Sequence, residues 1–188
     1  MTITKSIPIF AVGLIGLLMM PVQAEEKVPE SVHKLVPALK EWGKNGTLIA
    51  AVKQQNAKGM SLASIKSRDA KWQKTTGVDA FMKGVMTNTA AKELNKLEKR
   101  KPYFLEVFLM DNQGANVAMT NKTSDYWQGD EAKFTKSYNG GAGGVDIGKV
   151  KFDKSSQAYL VQVSVPVIDG GKAIGALTVG INLDELGK

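Results

Sequence analysis

Tyr126 and Trp127 are the only adjacent tyrosine and tryptophan in the chain, and they sit in a stretch from Asn121 to Tyr138 rich in groups that bind solutes. Asn121, Asp125, Gln128, Asp130 and Lys133 share that stretch. Two flat rings with polar tips, set among donors, acceptors and both signs of charge, suit closing over a small molecule and fixing its ends. The plainer account is that Trp127 plugs the edge of a core while Asp130 caps a helix over 131–138. Glu106 is a second candidate. It is a carboxylate among aromatics on an otherwise apolar run, placed to meet a ligand's cationic group such as an amine, a nearby lysine, or water. Gln162 and Ser164 interrupt a later apolar run in the same way. A buried polar group without a partner costs about 1–3 kcal/mol, so these side chains must meet solvent, one another or a ligand. The candidate ligand contacts are therefore Glu106, Asn121, Asp125, Tyr126, Trp127, Gln128, Lys133 and Gln162.

Other chemistries lack their residues. There is no cysteine, which excludes disulfides, thiolate metal sites, iron–sulfur clusters and c-type haem attachment. The single histidine, His33, cannot build a histidine-based metal site or serve Ser164 in a triad. Residues 143–149 superficially match a phosphate-binding loop. Val150, however, stands where a magnesium-holding hydroxyl is needed, and the segment leads into a strand rather than a helix. No paired carboxylates can be assigned to glycoside hydrolysis. With no catalytic constellation, the expectation is a protein that is not an enzyme and carries no cofactor.

The elements that must position these groups follow from periodicity. Tyr103 to Met110 and Ala115 to Thr120 alternate around the turn Asp111-Asn112-Gln113-Gly114. Gln157 to Ile168 and Ala173 to Ile181 alternate around Asp169-Gly170-Gly171-Lys172. With one further strand after the glycine-rich loop at 139–144, the pattern predicts a five-stranded antiparallel sheet. On the first strand Tyr103, Leu105, Val107 and Leu109 point one way, and Phe104, Glu106, Phe108 and Met110 the other. On the long strand Gln162 and Ser164 lie opposite a face of Tyr159, Val161, Val163 and Val165. The small residues of the last strand, Gly175 and Gly180 among them, permit close approach by a helix or a ligand.

Before residue 103 the period is helical. Val32, Leu35, Val36, Leu39 and Trp42 form a stripe continued by Leu48, Ile49 and Val52, with Pro37, Gly43 and Gly46 loosening it. Ser61 is placed to cap a second helix carrying Leu62, Ile65 and Trp72, and Asp79 a third. Thr87 or Thr89 restarts a helix that Pro102 ends. Helices followed by strands predict an α+β domain, with a helical part over 25–102, a sheet part over 103–188, and the helices on one face.

Residues 1–24 read as a secretory signal peptide. Lys5 is followed by an apolar run, Ile7 to Met20, and Val22-Gln23-Ala24 fits cleavage after Ala24. An uncleaved anchor is the alternative. Losing this leader removes only Lys5 and takes the net charge from +7 to +6. The remaining charge is dispersed, its densest cluster being Lys96, Lys99, Arg100 and Lys101. That favours anionic partners mildly and does not make the basic stripe with aromatics that nucleic acid needs.

Three stretches resemble a known group: 61–72, from Ser61 to Trp72; 107–117 with 123–134; and 163–168 with 175–181. In order they resemble the Cache family, also called PDC sensor domains, extracytoplasmic relatives of the PAS fold. The resemblance implies helices across a five-stranded antiparallel sheet, and a small solute such as an amine, carboxylate or amino acid held between the sheet and its roofing loops. It implies a periplasmic sensory role, with occupancy passed to a separate membrane sensor kinase or chemoreceptor, since the chain ends just after the last strand. The Arg-x-Trp-Tyr signature of amino-acid-binding double Cache domains is absent, and the stretch 125–134 in its place has no arginine. An alternative reading is an interaction module without a ligand, forming a homodimer through the N-terminal stripe from Val32 to Val52.

Overall fold

A computed structural model describes residues 27–153 and 157–188. The leader 1–24 lies outside the described residues. Six helices come first: α1 (Glu30–His33), α2 (Val36–Trp42), α3 (Gly46–Asn56), α4 (Leu62–Lys74), α5 (Ala80–Thr87) and α6 (Thr89–Glu98). The sheet part then runs β1 (Phe104–Met110), β2 (Asn116–Met119), α7 (Ala132–Tyr138), β3 (Asp146–Ile147), β4 (Lys151–Asp153), β5 (Ala158–Asp169), β6 (Lys172–Asn182) and α8 (Leu183–Leu186).

The capping residues act as the sequence suggests at two helices, and a residue it did not single out caps a third. Ser61 accepts from the Ser64 amide, and Asp79 from that of Met82. Asn88, between the two threonines proposed, accepts from that of Ala91. Each cap satisfies an amide that the first turn leaves without a partner. The stripe over 32–52 is three short helices. Gly43 breaks it where a Cβ would stand 2.2 Å from the Pro166 carbonyl oxygen, and the Gly43 oxygen accepts from the Ile168 amide at 3.0 Å. Gly43→Ala should therefore push the helix turn off β5 and cost roughly 1–3 kcal/mol, read as a lower urea midpoint.

The expected α+β arrangement of helices on an antiparallel sheet is the one the chain adopts. The sheet has six strands in the order β2-β1-β6-β5-β3, with β4 also paired to β5, and every pairing is antiparallel. The fifth lane is thus split: β3 and β4 lie one after the other along the long strand. Gly170 and Gly171 take positive φ in the β5–β6 turn, as two-residue hairpin turns require.

Two expectations need correction. Helices cover both faces of the sheet. On the back, Val32, Leu39, Trp42, Leu48, Val52, Leu94 and Leu97 pack on Val107, Leu109, Val163, Val165 and Val179. On the front, Ile65, Trp72, Met82, Val85 and Phe134 pack on Phe108, Met110 and Met119. Val32, Leu39, Trp42, Leu48 and Val52 of the stripe are thus buried in the chain's own core, while Leu35, Val36 and Ile49 stay partly exposed. Phe104 lies with the back residues and contacts Trp42 (centroids 4.8 Å) rather than sharing Glu106's side. A register irregularity between Phe104 and Glu106 turns it over.

Among the described residues no helix is long and apolar enough to cross a membrane.

Candidate functional site

The front of the sheet carries a groove of about 950 Å³. Its floor is Glu106 on β1 with Leu160 and Gln162 on β5. One wall is the segment 122–125, the opposite wall is β3 and β4, and the start of α7 closes the top with Glu131, Lys133 and Lys136. Gly180 lies between Glu106 and Gln162 in the ladder, paired with both. A Cβ there would stand 2.5 Å from Glu106 Cγ. The missing side chain lets Glu106 lie across β6 and accept a hydrogen bond from Gln162 Nε2 at 2.7 Å. That fixes one carboxylate oxygen. No basic side chain pairs with Glu106 among the described residues, although five lysines line the groove.

The charges of α7 beside the groove are already engaged. Lys136 pairs with the buried Asp146 at 2.8 Å, tying α7 to β3. Lys133 lies 3.1 Å from Glu131, donates to Gln128 Oε1 at 3.2 Å, and stands 5.5 Å from the centre of the Phe108 ring. The Ser124 hydroxyl donates to Asp125 Oδ2. Behind the floor, the Thr120 hydroxyl donates to Glu98 at 2.8 Å and accepts from the Val107 amide. Burial pushes the Glu98 carboxyl up, the Thr120 bond and Lys99 pull it back, and the negative charge of Glu106 adds to the rise. Ser164 does not reach the groove. It is fully buried and shares a 2.8 Å hydrogen bond with Thr178.

Glu106, Asp125, Lys133 and Gln162 thus come together around one groove, and the other four expected contacts are elsewhere. Asn121 is exposed and donates to the Leu105 carbonyl at 3.1 Å. Gln128 is buried, donating to the Asp125 carbonyl and accepting from Lys133, so it orients the groove's edge without facing it. Tyr126 and Trp127 do not roof the groove. Tyr126 is 1 % exposed and wedged between Trp72 (5.7 Å between centroids) and Phe81 (5.4 Å). The Trp127 indole donates to the Gln113 carbonyl at 2.8 Å, and Trp127 pairs with Ala115 as a lone bridge at the edge of β2. An aromatic this large gains more by joining the front core than by covering an open groove. Asp130 is exposed and caps nothing: Glu131 is the N-cap of α7, without a side-chain bond.

Sequence reasoning missed Lys122, Lys136, Asp146 and the β4 wall. The alternation of 145–153 was the signal available for that wall. It also missed Asp69. One oxygen of Asp69 accepts from the amides of Tyr126 (2.8 Å) and Trp127 (3.1 Å), so α4 holds the aromatic pair by its backbone. Burial pushes the Tyr126 hydroxyl up to about 12, helped by the charge of Asp111.

Asp111 itself organises the β1–β2 turn, accepting from the amides of Gln113 (2.8 Å) and Ala115 (2.9 Å). Burial nevertheless pushes its carboxyl above the ordinary 3.8, against the pull of those bonds. A raised folded-state value means the folded protein binds the proton more tightly. The stabilising contribution is whole below 3.8 and fades as pH rises through the folded value. Asp111→Asn keeps the acceptor and sheds the charge. It should match or exceed the wild type at neutral pH and lose that advantage in acid. Asp111→Ala strands two amides and should cost roughly 2–4 kcal/mol. Urea melts at two pH values check both.

No family model matches this chain, and no curated protein matches it. Among solved structures it is similar to the sensor domain of the V. cholerae histidine kinase DctB, at 16% identity over 84% of this chain and 54% of that one, with a TM-score of 0.42. It is similar to the sensory domain of the Campylobacter jejuni chemoreceptor Tlp3, at 13% identity over 84% and 57%, with a TM-score of 0.43. It is also similar to the ligand-binding domain of the Pseudomonas aeruginosa PAO1 amino acid chemoreceptor PctC in complex with GABA, at 12% identity over 82% and 63%, with a TM-score of 0.39. The chain spans a little over half the length of the first two.

Proposed function

We propose that this chain is a periplasmic sensory domain that binds a small solute with a cationic nitrogen in the groove over Glu106. It passes occupancy to a separate membrane signalling protein, a sensor kinase or a chemoreceptor. The observation that carries the reading is Glu106 itself. One oxygen is fixed by Gln162 across a residue with no side chain, no basic partner is present among the described residues, and the carboxylate opens onto the groove. A charge-assisted hydrogen bond from an ammonium group would meet a carboxylate already oriented, at little ordering cost. The engaged lysines of α7, Lys133 and Lys136, leave room for a polar or anionic tail without demanding one. Binding would favour the arrangement in which segment 122–125 and α7 close on the solute. Export by a leader over 1–24 would put the groove where external solutes reach it.

The test is a thermal-shift screen of the purified protein against amines, amino acids and carboxylates, followed by titration of Glu106→Gln. A cationic solute should raise the unfolding temperature as its concentration rises. Glu106→Gln should bind it roughly tenfold or more weakly, the worth of one charge-assisted bond, with folding unaffected. No stabilisation by any compound at large excess would remove the sensory reading. Undiminished binding by Glu106→Gln would remove Glu106 from it.

A further inference from the structure

Helix α4 is attached to the domain thinly. Of its 13 residues only Ile65 and Trp72 are buried, and yet it holds the groove's wall by several polar contacts. Asp69 accepts from the Tyr126 and Trp127 amides, and the Trp72 indole donates to the Thr123 carbonyl at 2.8 Å. Lys122, on the groove itself, donates to the carbonyls of Thr75 and Gly77 just past the helix end, each at 2.9 Å. Thr123 and Asp125 line the groove. The inner side of α4 therefore holds the strip of chain whose other side walls the groove.

The outer side is charged with one sign. Lys66, Arg68, Lys71 and Lys74 are the helix's cations, and its one carboxylate, Asp69, is turned inward on the two amides. Two of the cations are held in place by aromatic rings. Lys66 Nζ stands 4.4 Å from the centre of the Trp127 ring, and the Arg68 guanidinium 3.9 Å from that of Phe81. Ala63, Ser64 and Ser67 leave a shallow cleft of about 410 Å³ between Arg68 and Lys71, where another backbone can come close. The denser basic cluster after α6 has no such link, since α6 packs on the back of the sheet and also carries Glu93 and Glu98.

We infer that the outer face of α4 is a docking surface for an acidic helix of a partner protein, and that docking and solute binding act on the same segment, 122–127. Charge complementarity selects the partner, and the small residues admit a helix at close range. The three polar links make the two events thermodynamically reciprocal: whatever the partner does to solute affinity, the solute does to partner affinity. Docking stands independently of the groove reading. Only the coupling rests on it.

The experiment uses the full chain and a glutamate-rich helical peptide as probe, with no solute present, followed by amide-resolved NMR. The peptide should shift signals along 62–74 and, at saturation, those of Thr123 to Trp127. The double variant Lys71→Glu, Lys74→Glu should bind roughly tenfold more weakly, because like charges now face each other, and should unfold at the wild-type midpoint. Added salt should weaken the wild-type complex. Shifts gathering on Lys96 to Lys101, or undiminished binding by the double variant, would overturn the docking face. Shifts confined to α4 would overturn the coupling. Binding to phosphatidylglycerol vesicles but not to the peptide would replace the protein partner with a lipid surface, and concentration-dependent shifts without peptide would replace it with a second copy. Either result overturns the proposal. Failure here leaves the solute screen unaffected, and failure of that screen leaves the docking result unaffected.

Discussion

Tyr126→Ala should cost the protein about 3–5 kcal/mol of folding stability with no ligand present, the penalty of emptying an aromatic site in a packed core. The ring is 1 % exposed and lies between Trp72 and Phe81, and Phe81 in turn supports Arg68. Neighbours locked to one another collapse poorly into the space left behind, which puts the cost toward the upper part of that range. Tyr126→Phe keeps the ring and should lose far less. A residue that merely closed over a solute would behave in the opposite way, changing affinity and leaving the urea midpoint alone. Equilibrium unfolding of the two variants separates the cases. A Tyr126→Ala midpoint equal to that of the wild type would put the ring outside the core.

Asp69→Ala is expected to have the next largest effect, about 2–4 kcal/mol. It strands the amides of Tyr126 and Trp127 together, one at a buried residue and one at a half-buried one. Both amides directly follow the segment 122–125 that walls the groove, so the variant should also loosen 122–127 against α4. Amide hydrogen exchange should rise across that segment while β5 and β6, in the middle of the sheet, stay protected. Asp69→Asn retains an acceptor oxygen and should recover much of the loss. Equal stability of the alanine variant and the wild type would show that the two amides find other partners.

These two residues also show how far the sequence could be read. The hairpins, their turns and the capped helices were legible because each rests on local chemistry: alternation for the strands, glycine pairs for the tight turn, and a side-chain oxygen one residue before an apolar period for the caps. Glu106 and Gln162 were legible for the same reason, as polar residues out of place on apolar strands. Their pairing was not, because it depends on the register that sets Gly180 between them. Tyr126 and Trp127 look alike in a sequence whether they cover a pocket or fill a core. Only the position of α4 on the front of the sheet decides it, and that helix was expected on the back. The Phe104 error has a related origin, since one irregular ladder position turns that side chain to the other face. Asp69 reads as a surface acid in a basic helix until the loop that it holds is placed beside it.

The most direct measurement is an amide-resolved titration of the protein with the cationic solute that stabilises it best, run beside Glu106→Gln. The account predicts that the largest shifts fall around Glu106 on β1, Gln162 on β5 and the segment 122–125, and that they fade in the variant. Shifts gathering away from the groove, or unchanged in Glu106→Gln, would contradict it.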